Sequence, residues 1–179
     1  MNNKNHTRNL VFTALMVALC VVIGWVCKSW FTFGVVRITF DNFPVILTGI
    51  LLGPVAGAAV GISADLVSCF LTGYAINPLI TLGAALIGVL SGILGRYIIK
   101  GRKFSKIITI SLVSHLVGSV LVKSAGLYTI YGYSYFVLLG IRLPLYIVIA
   151  SAEAYFIYAI LKNRFISSSF ELKGAKNDL

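Results

Sequence analysis

The stretch from Phe43 to Leu71 limits what this chain can become more than any other. It carries one charge, Asp65, and is broken once, at Gly53-Pro54. As a single α-helix it would be about 44 Å long, well beyond a bilayer hydrocarbon core of about 30 Å. As two helices meeting at Gly53-Pro54 it is a hairpin whose first arm, from about Asp41 to Leu52, spans only about 18 Å. Such an arm has to be shielded by neighbours or meet water at one end, because lipid offers no hydrogen-bond partners.

Only 11% of the 179 residues are charged and 59% are hydrophobic, with a mean hydropathy of +0.96. A soluble domain carries about 25% charge. The composition therefore points to an all-α integral membrane protein, a single membrane domain over residues 1–179. Apolar runs place helices at about 10–27, 41–52, 54–71, 78–99, 106–123 and 137–161, ahead of a polar tail at 162–179. Residues 1–9 lack a cleavable-signal pattern, so the first run is expected to remain as a span. Between the first two helices, KSWFTFGVVRITFDNF mixes aromatic and polar residues as a structured interfacial loop does, and its VVRITF portion has strand character. Pro78 suits a first helical turn, and SAGLYTIYGYSYF is expected to form an aromatic loop.

The net charge is +10, from 15 Lys and Arg against 5 Asp and Glu, and the placement of those cations decides the topology. One helix across 43–71 gives five spans and puts Arg96, Lys100, Arg102, Lys103 and Lys106 on the side opposite Lys4 and Arg8. Two helices give six spans, and both groups then share a side with Lys162, Arg164, Lys173 and Lys176, as the positive-inside bias requires. Six transmembrane helices with both termini cytoplasmic is the expectation.

Four cations, Lys28, Arg37, Lys123 and Arg142, then fall on the outer side, where such residues are avoided. Each alone is explained by a long side chain reaching to the interface. Together, with only Asp41 and Asp65 nearby, they suggest an electropositive cavity for an anion: Arg grips a carboxylate bidentately, and Lys acts as a point charge. A charge inside the membrane costs about 2.5–3.5 kcal/mol, so Asp65 needs a partner or a task. It either pairs with Arg37 or Arg142 or accepts from paired N–H donors of a heterocycle. Trp30, Phe33 and Tyr74 belong to an aromatic cluster on the same side, read as an interfacial belt or in part as a stacking surface. His115 is expected to bond a neighbouring helix rather than a metal, and Glu153 has no evident partner. The cysteines at 20, 27 and 69 read as small buried hydrophobes. No P-loop, HExxH or GxSxG pattern occurs, which leaves nucleotide binding and hydrolysis unsupported.

Ala14 and Ala18 lie four apart on one face of the first helix, a small-residue pattern that allows close helix approach. With that face, the long aromatic loop, the run RITFDNFPVILTGILLGPVAGAAVGISADL and IRLPLYIV opening the last helix, the chain resembles the membrane-embedded substrate-binding (S) components of energy-coupling factor (ECF) vitamin transporters of bacteria. The resemblance covers about residues 8–163 and is greatest to the folate-specific branch. It implies a multi-pass protein of the bacterial cell membrane that binds a vitamin outside and joins a coupling protein and two ATPases. It implies no enzyme activity, cofactor, metal or nucleic acid partner. It further implies that Ala14 and Ala18 dock on the coupling protein. With folate as ligand, Arg37, Lys123 and Arg142 are expected to hold the carboxylate end, Asp65 to read the pterin, and Trp30, Phe33 or Tyr74 to stack on it. Pantothenate and biotin are the rival acidic vitamins. A membrane-embedded enzyme acting on an anionic lipid is the rival of another class.

Overall fold

The computed structural model describes residues 3–30, 32–33, 36–98 and 104–162, with side chains described at 6–30, 38–96, 104–130 and 132–162. The tail cations Arg164, Lys173 and Lys176, and the loop cations at 100, 102 and 103, lie outside the described residues.

Helix α1 (Asn3–Trp30) leads into a two-stranded antiparallel hairpin, β1 (Thr32–Phe33) and β2 (Val36–Arg37), with Thr32 opposite Arg37 and Phe33 opposite Val36. There follow α2 (Asn42–Leu52), α3 (Pro54–Thr72), α4 (Pro78–Ile93) with a π-helical extension Leu94–Ile98, and α5 (Phe104–His115). A second π-helical segment, Leu116–Val122, joins α5 to α6 (Lys123–Tyr131), and α7 (Tyr135–Lys162) closes the chain. Five helical stretches are long and apolar enough to cross a membrane, and α2 is a shorter apolar helix. Alternating directions put the β hairpin, the ends of α3 and α6 and the starts of α4 and α7 at one end of the bundle, called here the hairpin end.

The break between α2 and α3 is made by Gly53, whose φ of 101° is open to glycine and strained for other residues, with Pro54 at the first position of α3. At 1.5 Å per residue, α2 is about 16 Å long. It packs against α1, α3, α4 and α7, and Val45, Ile46, Leu47 and Thr48 are all buried. The short arm is thus sheathed in protein, which meets the condition that its length sets.

Small residues bring α2, α3 and α4 together. A Cβ on Gly57 or Gly88 would run into the other helix's backbone, one on Gly61 into Ala84, and one on Gly49 into Ser91. The core runs from this seam to α5 and α7 through Ile46, Ile87, Ile107 and Ile157.

Three expectations need correction. First, α1 extends beyond 10–27 at both ends, because the apolar run marks membrane thickness while the flanking polar residues remain helix-competent. Second, residues 124–131 are helical instead of forming part of an aromatic loop. KSAGLYTIY contains no Pro and its one glycine is tolerated, so the helix stops only at Gly132, with φ of 66°. Third, the three apolar runs from Pro78 onward are not uniformly α-helical, since two of them contain π-helical turns.

Candidate functional site

Along α7 the buried residues Arg142, Tyr146, Ile149, Ala150 and Glu153 follow helical spacing, so one face presents a guanidinium, a phenol and a carboxylate over about 16 Å. Arg142 Nη2 donates to the Tyr146 hydroxyl at 3.1 Å, and its Cζ lies 5.2 Å from the Tyr146 ring centroid. The Tyr146 ring in turn rests against the His115 imidazole, with centroids 5.3 Å apart. His115 Nε2 meets Glu153 Oε2 at 2.6 Å, and its Nδ1 meets the Ser119 hydroxyl at 3.1 Å. His115 and Glu153 are 1% and 0% exposed. Glu153, which has no partner legible in the sequence, therefore belongs to His115, and removing either member of such a buried pair costs about 3–5 kcal/mol.

A second wall is built where α2 and α6 begin. Lys123 Nζ donates to Asn42 Oδ1 at 3.3 Å, and Cys20 Sγ on α1 donates to the Asp41 carbonyl at 3.1 Å. The stem of Lys123 passes Gly83 of α4, where an added Cβ would meet Lys123 Cγ at 2.6 Å and the Gly118 carbonyl at 2.7 Å. The π-helical segment before Lys123 contributes to its aim. Each extra residue in a turn rotates the downstream face by about 100°, so the segment resets which side chains α6 turns inward. Helix α7 packs against both α2 and α6, so the two walls adjoin across a polar interior.

On the elements of these walls four buried polar atoms at the hairpin half of the bundle have no hydrogen-bond partner: Asp41 Oδ1, Asn42 Nδ2, Ser124 Oγ and Arg142 Nη1. Each such atom costs about 1–3 kcal/mol when nothing bonds to it. Four such atoms on adjoining elements mark a site whose ligand supplies the partners. Lys123, Arg142 and Asn42 offer donors to an anion, while Asp41 offers an acceptor to N–H groups. Among the described residues no group of three or more His, Cys, Asp or Glu is placed to hold a metal.

The residues singled out from the sequence are placed as follows. Lys123 and Arg142 border the polar interior. Asp65 accepts from Thr81 Oγ1 of α4 at 2.6 Å. These three charges each lie about 10–12 Å from the hairpin end of their helices, so they share a level in the bundle. Trp30, at the end of α1, and Tyr74, just past the Gly73 cap of α3, are 78% and 48% exposed at the hairpin end. Phe33 and Arg37 belong to β1 and β2, and their side chains lie outside the described residues. Ala14 and Ala18 are exposed on α1, with Leu10, Leu15 and Val22 around them. Asn42, Tyr146, Ser119 and Ser124 were not among the sequence candidates. The signal for Tyr146 was its place four residues from Arg142 and seven from Glu153, on one stripe of an apolar helix.

The family described as "ECF transporter, substrate-specific component" matches residues 8–170. The chain belongs to that family. Its fold is similar to that of FolT in a crystal structure with folic acid, with a TM-score of 0.69 and 22% identity over 86% of this chain and 92% of that one. It is also similar to the S-component for biotin from an ECF-type ABC transporter, with a TM-score of 0.62 and 16% identity over 96% and 100% of the two chains. No curated protein matches the sequence. As an ECF substrate-specific component, the chain is a membrane-embedded subunit that binds a vitamin substrate and is not itself an enzyme. Its buried, unpartnered polar cluster is the candidate place for that substrate.

Proposed function

We propose that this substrate-specific component captures folate outside the cell and delivers it inward with an ECF module of one coupling protein and two ATPases. The observation that carries the reading is Arg142, a permanently charged guanidinium only 9% exposed, whose Nη1 donates to nothing, on a helix that packs against the α6 that begins with Lys123. Such a group calls for an anion. Arg142 and Lys123, joined by Arg37 from the β hairpin, take the carboxylate end of the vitamin. Asp65 accepts from the pterin, and Trp30, Phe33 or Tyr74 stacks on it. The hairpin end faces outward, both termini are cytoplasmic, and the six helices all lie in the membrane. The exposed Ala14–Ala18 face of α1 is left for the coupling protein, since no other part of the chain covers it among the described residues.

The folding likeness to FolT, with the higher TM-score of the two comparisons, favours folate. Biotin is the second reading, favoured by the likeness to the biotin component over all of that chain. Calorimetric titration of the detergent-purified chain with folic acid, biotin and pantothenate decides between them. One-to-one binding of folic acid far tighter than the others is the expected result, and preference for either rival would replace folate with that vitamin.

A further inference from the structure

His115 and Glu153 have no part in the function proposed above, although they are among the most buried polar side chains in the chain. Glu153 lies about 27 Å along α7 from the hairpin end, far beyond the level of Arg142. We propose that His115 and Glu153 are positioning residues for Arg142, acting through Tyr146; this rests on reading the site as one for a carboxylate-bearing ligand.

The geometry forms a continuous chain. Glu153 and Ser119 hold His115 at both ring nitrogens, so the imidazole is fixed in its plane as well as in its place. Ser111 Oγ donates to the Ala150 carbonyl at 3.0 Å and locks α5 to α7 one turn away. The fixed imidazole supports the Tyr146 ring, and that ring carries the guanidinium on its hydroxyl and within 5.2 Å of its centroid. Nη2 is thereby occupied while Nη1 stays available. An arginine on a free stem gives up rotamer freedom when it grips a carboxylate, whereas one already held loses little. The buried pair therefore contributes to affinity without touching the ligand. It also explains why two ionisable groups are kept inside an apolar helix pair where Leu or Ile would pack.

A double-mutant cycle on the full chain in detergent, titrated with folic acid, separates positioning from simple welding of α5 to α7. Tyr146→Phe keeps the ring against His115 and removes only the hydroxyl, so it is expected to weaken folic acid about 5- to 10-fold. Glu153→Gln is expected to weaken it as well. In an Arg142→Gln background neither change should cause further loss; additive losses would overturn the proposal. A readout without ligand accompanies it: modification of Arg142 by phenylglyoxal, followed by mass spectrometry, should be faster in Tyr146→Phe and Glu153→Gln than in the unsubstituted chain. Equal labelling rates would also overturn it. If the unsubstituted chain ignores folic acid, the folate reading fails on its own, and the labelling rates still decide the positioning role.

Discussion

Gly83→Ala tests whether Lys123 is aimed by the helix it passes. The added methyl would stand 2.6 Å from Lys123 Cγ and 2.7 Å from the Gly118 carbonyl, and neither is the loose end of a side chain. Both contacts are tighter than real Cβ atoms adopt, so α4 and the π-helical segment must part or the lysine stem must swing. Overpacking of this kind costs about 1–3 kcal/mol of stability. For a chain of this size that is a fall in Tm of a few degrees, at about 2–4 °C per kcal/mol. The swing also breaks the 3.3 Å bond from Nζ to Asn42 and withdraws a cation from the polar interior. A charge-assisted contact is worth about 1.5–3 kcal/mol, so folic acid should bind about 10- to 150-fold more weakly. Lys123→Met should give a loss of the same order with a smaller change in Tm, because it removes the charge and leaves the glycine seam intact. Gly140→Ala, where an added Cβ meets nothing within 4 Å, is the control for helix propensity alone. Titration calorimetry and thermal melts of the three variants read both quantities. If Gly83→Ala binds folic acid as the unsubstituted chain does, or if its loss adds in full to that of Lys123→Met, Lys123 is not a ligand contact aimed through Gly83.

Asp65→Asn should weaken folic acid and a pterin fragment alike, whereas Arg37→Gln or Arg142→Gln should weaken folic acid about 10- to 150-fold and the fragment much less; equal losses for both ligands in every variant would make the cations structural. Bulky residues at Ala14 and Ala18 together should leave binding intact and abolish uptake in cells, and a parallel fall in binding would place that face in internal packing. Cysteine labelling in whole cells should find residues beside Gly53 and in the tail protected from impermeant reagents, and ready labelling of the tail would reverse the proposed orientation. Gly53→Ala places a side chain at a φ of 101° against Arg96 Nη1, and should lower Tm by several degrees, read by thermal melt.

What was legible in the sequence was whatever the chain encodes locally. Gly53-Pro54 broke an overlong run, and Pro78 opened α4, where the Asn77 side chain accepts from the Leu79 N–H. The polar interior is non-local: Lys123 meets Asn42 across 81 positions and His115 meets Glu153 across 38. Periodicity alone pairs residues within a helix, so Arg142, Tyr146 and Glu153 could be put on one stripe but not opposite His115. Asp65 shows the same limit, since its bond to Thr81 depends on how closely Gly57, Gly61 and Gly88 let α3 approach α4. Nor did any local signal mark the π-helical turns before Lys123, because Leu116–Val122 is as suited to an α-helix as its neighbours.

The shortness of α2 also bears on how the protein is made. With 11 residues, this helix falls short of the roughly 17–20 that a segment needs to partition into a bilayer by itself. In the proposed six-span arrangement it depends on the 19 residues of α3, joined to it at Gly53-Pro54, to be retained in lipid. In that arrangement synthesis has to pass Gly53-Pro54 and most of α3 before α2 is held there. Because Asp41 and Asn42 stand at the hairpin end of α2, ahead of its apolar stretch, the polar residues there can differ without shortening the apolar arm.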